Sequence, residues 1–154
     1  MKLYGIIVNL ALYQPEIPQN VGTLLRLGAC MGVGIDIIEP CGFLFSDRRL
    51  KRSGMDYVDQ AQLTRHLNWD SFKESATGKR IILLTPHTDD IYTDVAFKSD
   101  DIIMVGRESD GVPDDVAHDA TMRVKIPMRH QCRSLNVATA AAMVIGEAVR
   151  QTQD

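Results

Sequence analysis

Five polar side chains in this 154-residue chain stand at the margins of apolar segments: Asn20, Arg26, Glu108, Ser134 and Asn136. Asn20 sits at the entrance to a helix-like stretch, and Arg26 lies among the apolar positions of that stretch. Glu108 lies in a loop bracketed by Gly106 and Gly111, and Ser134 and Asn136 open the last helix-like stretch. A carboxylate, a guanidinium, a hydroxyl and two amides can bind and orient a ligand. Each also has a plainer reading: Asn20 and Ser134 as helix caps, the glycines as turn formers, Arg26 as a surface arginine. Taken together they are harder to set aside, because each belongs to a strand-end loop or to a helix beginning there.

Several familiar chemistries are excluded. The chain has no G-x-x-x-x-G-K-[ST] phosphate loop, and no G-x-G-x-x-G follows its first strand. That argues against P-loop chemistry, a Rossmann dinucleotide site and a Rossmann-type methyltransferase. No serine lies in a G-x-S-x-G elbow. His66, His87, His118 and His130 lack paired metal spacing, so each reads as a surface histidine and no metal is expected.

The elements that must position these residues alternate. "GIIVNLAL" (Gly5 to Leu12) is an apolar run of strand length, and "PEIPQNVGTLLRLGACMG" reads as a loop entering a helix. Val21, Leu24, Leu25, Gly28 and Ala29 fall on one helical face, with Gly32 or Gly34 as the stop. "GIDIIEP", "RIILLT", "DIIMVG" and "MRVKIPM" are further strands. "SDRRLKRSG" reads as a short helix capped by Ser46 or Asp47, and "NWDSFKESATG" as another between Asn68 and Gly78. A helical turn or two follows Pro113, and the last helix runs from Ser134 onward. Unbroken apolar strands alternating with helices predict an α/β fold with a parallel sheet covered on both faces. Ligands bind such sheets at the carboxyl ends of the strands. "LLTPHT", "MVGRESDGVP" and "IPMRHQCRS" are the polar strand-end loops, and they form one pocket if their strands are neighbours.

From Leu135 to Val149 only Asn136, Thr139, Gly146 and Glu147 interrupt the apolar residues. A helix apolar all round must be buried all round. Either it is central in the monomer, or the sheet covers one face and a second subunit the other. The latter predicts a homodimer.

Length suits one domain spanning residues 1–154, and 45% hydrophobic with 24% charged residues is ordinary globular composition. No apolar run is long enough to span a bilayer, and the N-terminus reads as a buried strand, so no membrane partner is expected. Three cysteines without metal spacing fit a reduced, cytoplasmic protein. Net charge is −3, yet "RRLKR" places Arg48, Arg49, Lys51 and Arg52 within five residues. The run reads either as a solvated helix face or as a phosphate-binding patch.

"PEIPQNVGTLLRLGACMG", "MVGRESDGVP" and "IPMRHQCRSLNVATAAAMVIGEA" resemble, in order and spacing, the three motifs of the SPOUT superfamily of RNA methyltransferases. "IIEPCGFLFSDRRLKRSGMDY" adds a resemblance to the small tRNA 2′-O-methyltransferases acting on the wobble nucleotide, cytidine or uridine 34. The resemblance covers essentially the whole chain. It implies an α/β fold with a C-terminal trefoil knot, a homodimer packed through the knotted region, and a tRNA anticodon stem-loop as partner. S-Adenosylmethionine would be bound by Leu84, Gly106, Ile126 and Ser134, with glycine allowing the backbone close to the ligand, and S-adenosylhomocysteine would be the product. Arg26 matches the family's presumed catalytic arginine, and Asn20, Glu108, Ser134 and Asn136 match the polar positions around it. "RRLKR" becomes a candidate phosphate contact. Arg26 would either lose its proton with help from a substrate phosphate or stabilise a developing alkoxide. The chain departs from the pattern at Val112 (usually leucine), Thr139 (commonly serine) and Gly146 (expected tyrosine). The alternatives within reach are methylation of another tRNA or rRNA position, a non-catalytic RNA-binding dimer, and a metabolic enzyme with an adenine-containing ligand.

Overall fold

The computed structural model describes residues 8–46, 48 and 60–153. Its elements in chain order are β1 (Asn9–Tyr13), α1 (Pro18–Met31), β2 (Gly34–Ile38), β3 (Leu63–His66), α2 (Trp69–Ser75), β4 (Ile81–Leu84), β5 (Ile102–Val105), α3 (Asp114–Asp119), β6 (Met122–Val124) and α4 (Val137–Thr152). A 3-10 turn, Tyr92–Asp94, precedes β5. The six strands form one sheet in the order β3-β2-β1-β5-β4-β6, and every pairing is parallel.

Side-chain alternation along the strands builds two cores. Leu10, Leu12, Ile35, Ile37, Ile103 and Val105 pack under α1 and α4. Ala11, Tyr13, Ile38, Leu83 and Met104 point the other way, against Phe72 of α2 and Val116 of α3. Helices therefore cover both faces, as the apolar strand runs require. α1 begins with Pro18 in its first turn and stops at Gly32, which takes a left-handed φ of 70°. α2 is capped as its sequence indicates, with the Asn68 side chain accepting from the Ser71 amide.

One strand is added and three expectations change. β3 carries no apolar run: Thr64 and Arg65 are exposed on this short edge strand, which hides it from a search for buried strands. His66 is buried rather than superficial, its Nε2 2.7 Å from Asp36 Oδ1, and Asn9 donates to the other Asp36 oxygen at 3.2 Å. α4 starts at Val137 instead of Ser134, because Asn136 supplies the cap through bonds from the Ala138 and Thr139 amides. Ser134 lies ahead of it in irregular chain. Neither Ser134 nor Asn20 caps a helix. The N-cap of α1 is Ile17, and Asn20 lies inside the first turn. The short helix expected at "SDRRLKRSG" and the start of "GIIVNLAL" fall outside the described residues.

Burial on α4 is one-sided. Ala138, Ala141, Val144, Ile145, Ala148 and Val149 are buried, whereas Thr139, Ala142, Met143, Gly146 and Arg150 face outward. Among the described residues no helix is long and apolar enough to cross a membrane.

Candidate active site

β4 pairs with both β5 and β6, so the three strands whose polar loops attracted attention are neighbours. Their loops line one cavity of about 630 Å³ with residues that include Leu84, Gly106, Ile126 and Ser134. β1 lies beside β5, at the point where the strand order reverses, and delivers Asn20 to the same cavity. This is where an open parallel sheet offers a crevice.

A chain of amides and a carboxylate joins the three motifs. Asn136 donates from Nδ2 to Asn20 Oδ1 at 3.0 Å, and Asn20 donates from Nδ2 to Glu108 Oε1 at 3.4 Å. Asn20 is 7% exposed, so its polar atoms need these partners. Glu108 also accepts from the Glu16 amide at 2.7 Å and the Ile17 amide at 3.4 Å. Ile17 caps α1 without any side-chain bond, and the Glu108 carboxylate, from a distant loop, takes the amides of the two residues just ahead of the helix. Its negative charge suits the positive end of the helix dipole.

Gly106 also has a reason within the protein itself to be glycine. A Cβ there would lie 2.6 Å from the Gly111 Cα and carbonyl carbon. The 107–111 hairpin closes against it through paired bonds, Arg107 N to Gly111 O at 2.9 Å and the reverse at 3.0 Å. Gly111 makes the return with φ 69°, a conformation that glycine adopts without strain.

Arg26 is not in the cavity wall. It is exposed on α1, on a stripe with Gln19, Thr23 and Cys30. Of the basic run, Arg48 is exposed, and Arg49, Lys51 and Arg52 lie outside the described residues.

Sequence reasoning passed over Glu16 and Arg107. Arg107 donates from Nε to Gln14 Oε1 at 3.0 Å, and its guanidinium sits 5.3 Å from the Tyr13 ring centroid. It also bonds Asp110, and this partner holds the Asp110 carboxyl below its usual range. The Glu16 carboxylate accepts from Ser109, which likewise keeps its carboxyl below the ordinary value. The signal available was position: Glu16 lies within "PEIPQN" and Arg107 within "GRESDG", but neither pairing can be read along one segment. Burial first, and the Glu39 charge next, push the Cys41 thiol up to about 11, away from the reactive thiolate form.

Comparison with known proteins gives the geometry a context. A tRNA (cytidine(34)-2′-O)-methyltransferase of Beijerinckia indica subsp. indica is 56% identical over 92% of this chain and 90% of that protein. The enzyme of the same name from Escherichia coli K12 is 38% identical over 94% and 93%. A solved structure described as "Structural insights into the 2-OH methylation of C/U34 on tRNA" superposes with a TM-score of 0.88 at 37% identity, covering 94% of this chain and 95% of that one. The model of the SpoU rRNA methylase family matches residues 7–146, a span that holds all three strand-end loops, all of α1 and the first ten residues of α4. With fold, motif placement and relatives in agreement, the chain belongs to the SpoU rRNA methylase family.

Proposed function

We propose that the protein transfers a methyl group from S-adenosylmethionine to the ribose 2′-oxygen of the wobble nucleotide, cytidine or uridine 34, in the anticodon stem-loop of tRNA. The observation that carries the reading is the meeting of three strand-end loops on one cavity, tied by Asn20, Glu108 and Asn136 to the helix that bears Arg26. The position on tRNA is supported by the names of the close relatives.

The residues present suit such a donor. About 630 Å³ is ample for a nucleoside-sized ligand. Leu83, Leu84, Val105, Ile126 and Val137 give an apolar wall, and Arg107, Glu108, Asp110 and Arg123 give polar groups on the same cavity. In this reading Leu84, Gly106, Ile126 and Ser134 hold the donor. S-Adenosylmethionine supplies, when bound, a methyl already activated on a sulfonium. The protein's part is then to orient the acceptor and manage its proton.

Glu108 is poorly placed to take that proton, because both of its oxygens already accept N–H bonds. Its role is to set the α1 start against the hairpin. Arg26 is exposed on α1, and a guanidinium offers five N–H donors and no acceptor. It therefore acts by stabilising charge that develops on the 2′-oxygen. Exposed Arg48 and the rest of its basic run contact tRNA phosphates, and the protein works as a homodimer.

The test is labelled methyl transfer to bulk tRNA lacking 2′-O-methyl groups, with nucleoside mapping. Label in a wobble ribose is expected; label elsewhere would overturn the position, and no label would overturn the reaction. Arg26→Ala is expected to abolish transfer and leave donor binding intact, and equal loss of both would remove Arg26 from its role.

A further inference from the structure

Two carboxylates cross between the loops that flank the cavity. Glu108, on the 107–111 hairpin, accepts from the backbone of Glu16 and Ile17. Glu16, on the β1–α1 loop, accepts in return from the Ser109 amide at 2.9 Å and the Ser109 hydroxyl at 2.7 Å. Each acid answers donors beside the other, so the bonds close a ring through two short pieces of backbone. Behind the ring, Gly42 donates to Pro15 O at 2.9 Å, and a Cβ on Gly42 would lie 3.0 Å from Glu16 Cα. The clasp is held from outside as well.

The hairpin does not need Glu16 for its own shape. The Arg107–Gly111 bond pair, the contact of Gly106 with Gly111 and the Arg107–Asp110 ion pair are internal to it. What Glu16 adds is registry between the hairpin, which walls the cavity, and α1, which carries Asn20 and Arg26. Resting on the proposed reaction, we infer that Glu16 is a positioning residue that sets the donor-binding hairpin against the Arg26 helix. It touches neither reactant in this role and acts through Ser109. Because Ser109 keeps the Glu16 carboxyl below its ordinary range, the Glu16–Ser109 half of the clasp is intact at neutral pH and is lost as pH falls through that lowered value.

The experiment compares Glu16→Ala, Glu16→Gln and Ser109→Ala in single-turnover methylation, in S-adenosylhomocysteine affinity by calorimetry, and in melting temperature. Misplacement of reacting groups by a fraction of a bond length costs rate steeply, so Glu16→Ala is expected to lose about 10- to 100-fold in the transfer step. Its S-adenosylhomocysteine affinity and melting temperature should stay near those of the parent. Glu16→Gln keeps an acceptor oxygen and should recover most of the rate. Ser109→Ala keeps the backbone donor and should fall between. A parental rate for Glu16→Ala would overturn the inference, as would a rate that falls only in step with binding stoichiometry and melting temperature. If the parent protein methylates no tRNA, the proposed reaction fails on its own. The clasp is then judged by hydrogen exchange: faster exchange confined to 107–111 in Glu16→Ala supports it, and unchanged exchange overturns it.

Discussion

Gly106 shows how a single missing methyl group shapes the site. The 2.6 Å approach to Gly111 involves backbone on both sides, so no side chain can swing away to relieve an added Cβ. Gly106→Ala must push the hairpin outward, an overpacking change that costs about 1–3 kcal/mol. The displaced atoms belong to the cavity wall, so the loss should appear in ligand affinity out of proportion to stability. Calorimetric titration with S-adenosylhomocysteine is expected to show marked weakening while the melting transition stays cooperative and only modestly lowered. Unchanged affinity would mean that this part of the hairpin does not meet the donor.

At the scale of elements, Asn136 does two jobs that substitution can separate. Its Oδ1 caps α4 through the Ala138 and Thr139 amides at 2.9 and 3.1 Å, while its Nδ2 donates to Asn20. Asn136→Ala loses both, and loss of a cap alone costs about 1 kcal/mol. That corresponds to roughly 2–4 °C in melting temperature for a chain of this size. Asn136→Asp keeps a good cap but sets a carboxylate against the Asn20 carbonyl. Turning the Asn20 amide would only move the conflict to Glu108. Asp should therefore melt near the parent and transfer methyl poorly, whereas Ala should lose stability as well. Matching melting temperatures for the two variants would refute the division.

What was legible in the sequence follows the same division between local and distant. The apolar runs of β1, β2, β4 and β5, the helical face of α1 and the Asn68 cap of α2 are local patterns, and they stand where the residues indicate. The meeting of three strand-end loops followed from a rule about parallel sheets, and strand order satisfied its condition. β3 escaped because an edge strand with exposed Thr64 and Arg65 carries no buried signature. His66 escaped because its burial depends on Asp36, 30 positions away. The Glu16–Ser109 pair spans 93 positions and has no trace in either loop alone. A knot is a property of threading, which periodicity does not encode. It entered through family resemblance.

For the whole molecule, the decisive feature is the outer face of α4. The helix is apolar nearly all round, yet the sheet and α1 cover only the side of Ala141, Val144, Ile145 and Ala148. Met143 remains 41% exposed, on an outer face of the helix that also carries Ala142 and Gly146. Gly146 sharpens the case. A glycine inside a helix costs about 1 kcal/mol relative to alanine, and a Cβ added here meets nothing within 4 Å. Nothing among the described residues requires that bare position, whereas a second helix packing closely against it would. A symmetric partner placed on this face would bury Met143. Light scattering at micromolar concentration is expected to give a dimer. Met143→Glu, which places a charge where the two copies would meet, is expected to give a folded monomer that keeps the parental far-ultraviolet spectrum and loses methyl transfer. A Met143→Glu protein that remains dimeric would move the interface elsewhere, and a monomeric parent would leave the apolar outer face of α4 without the partner its composition calls for.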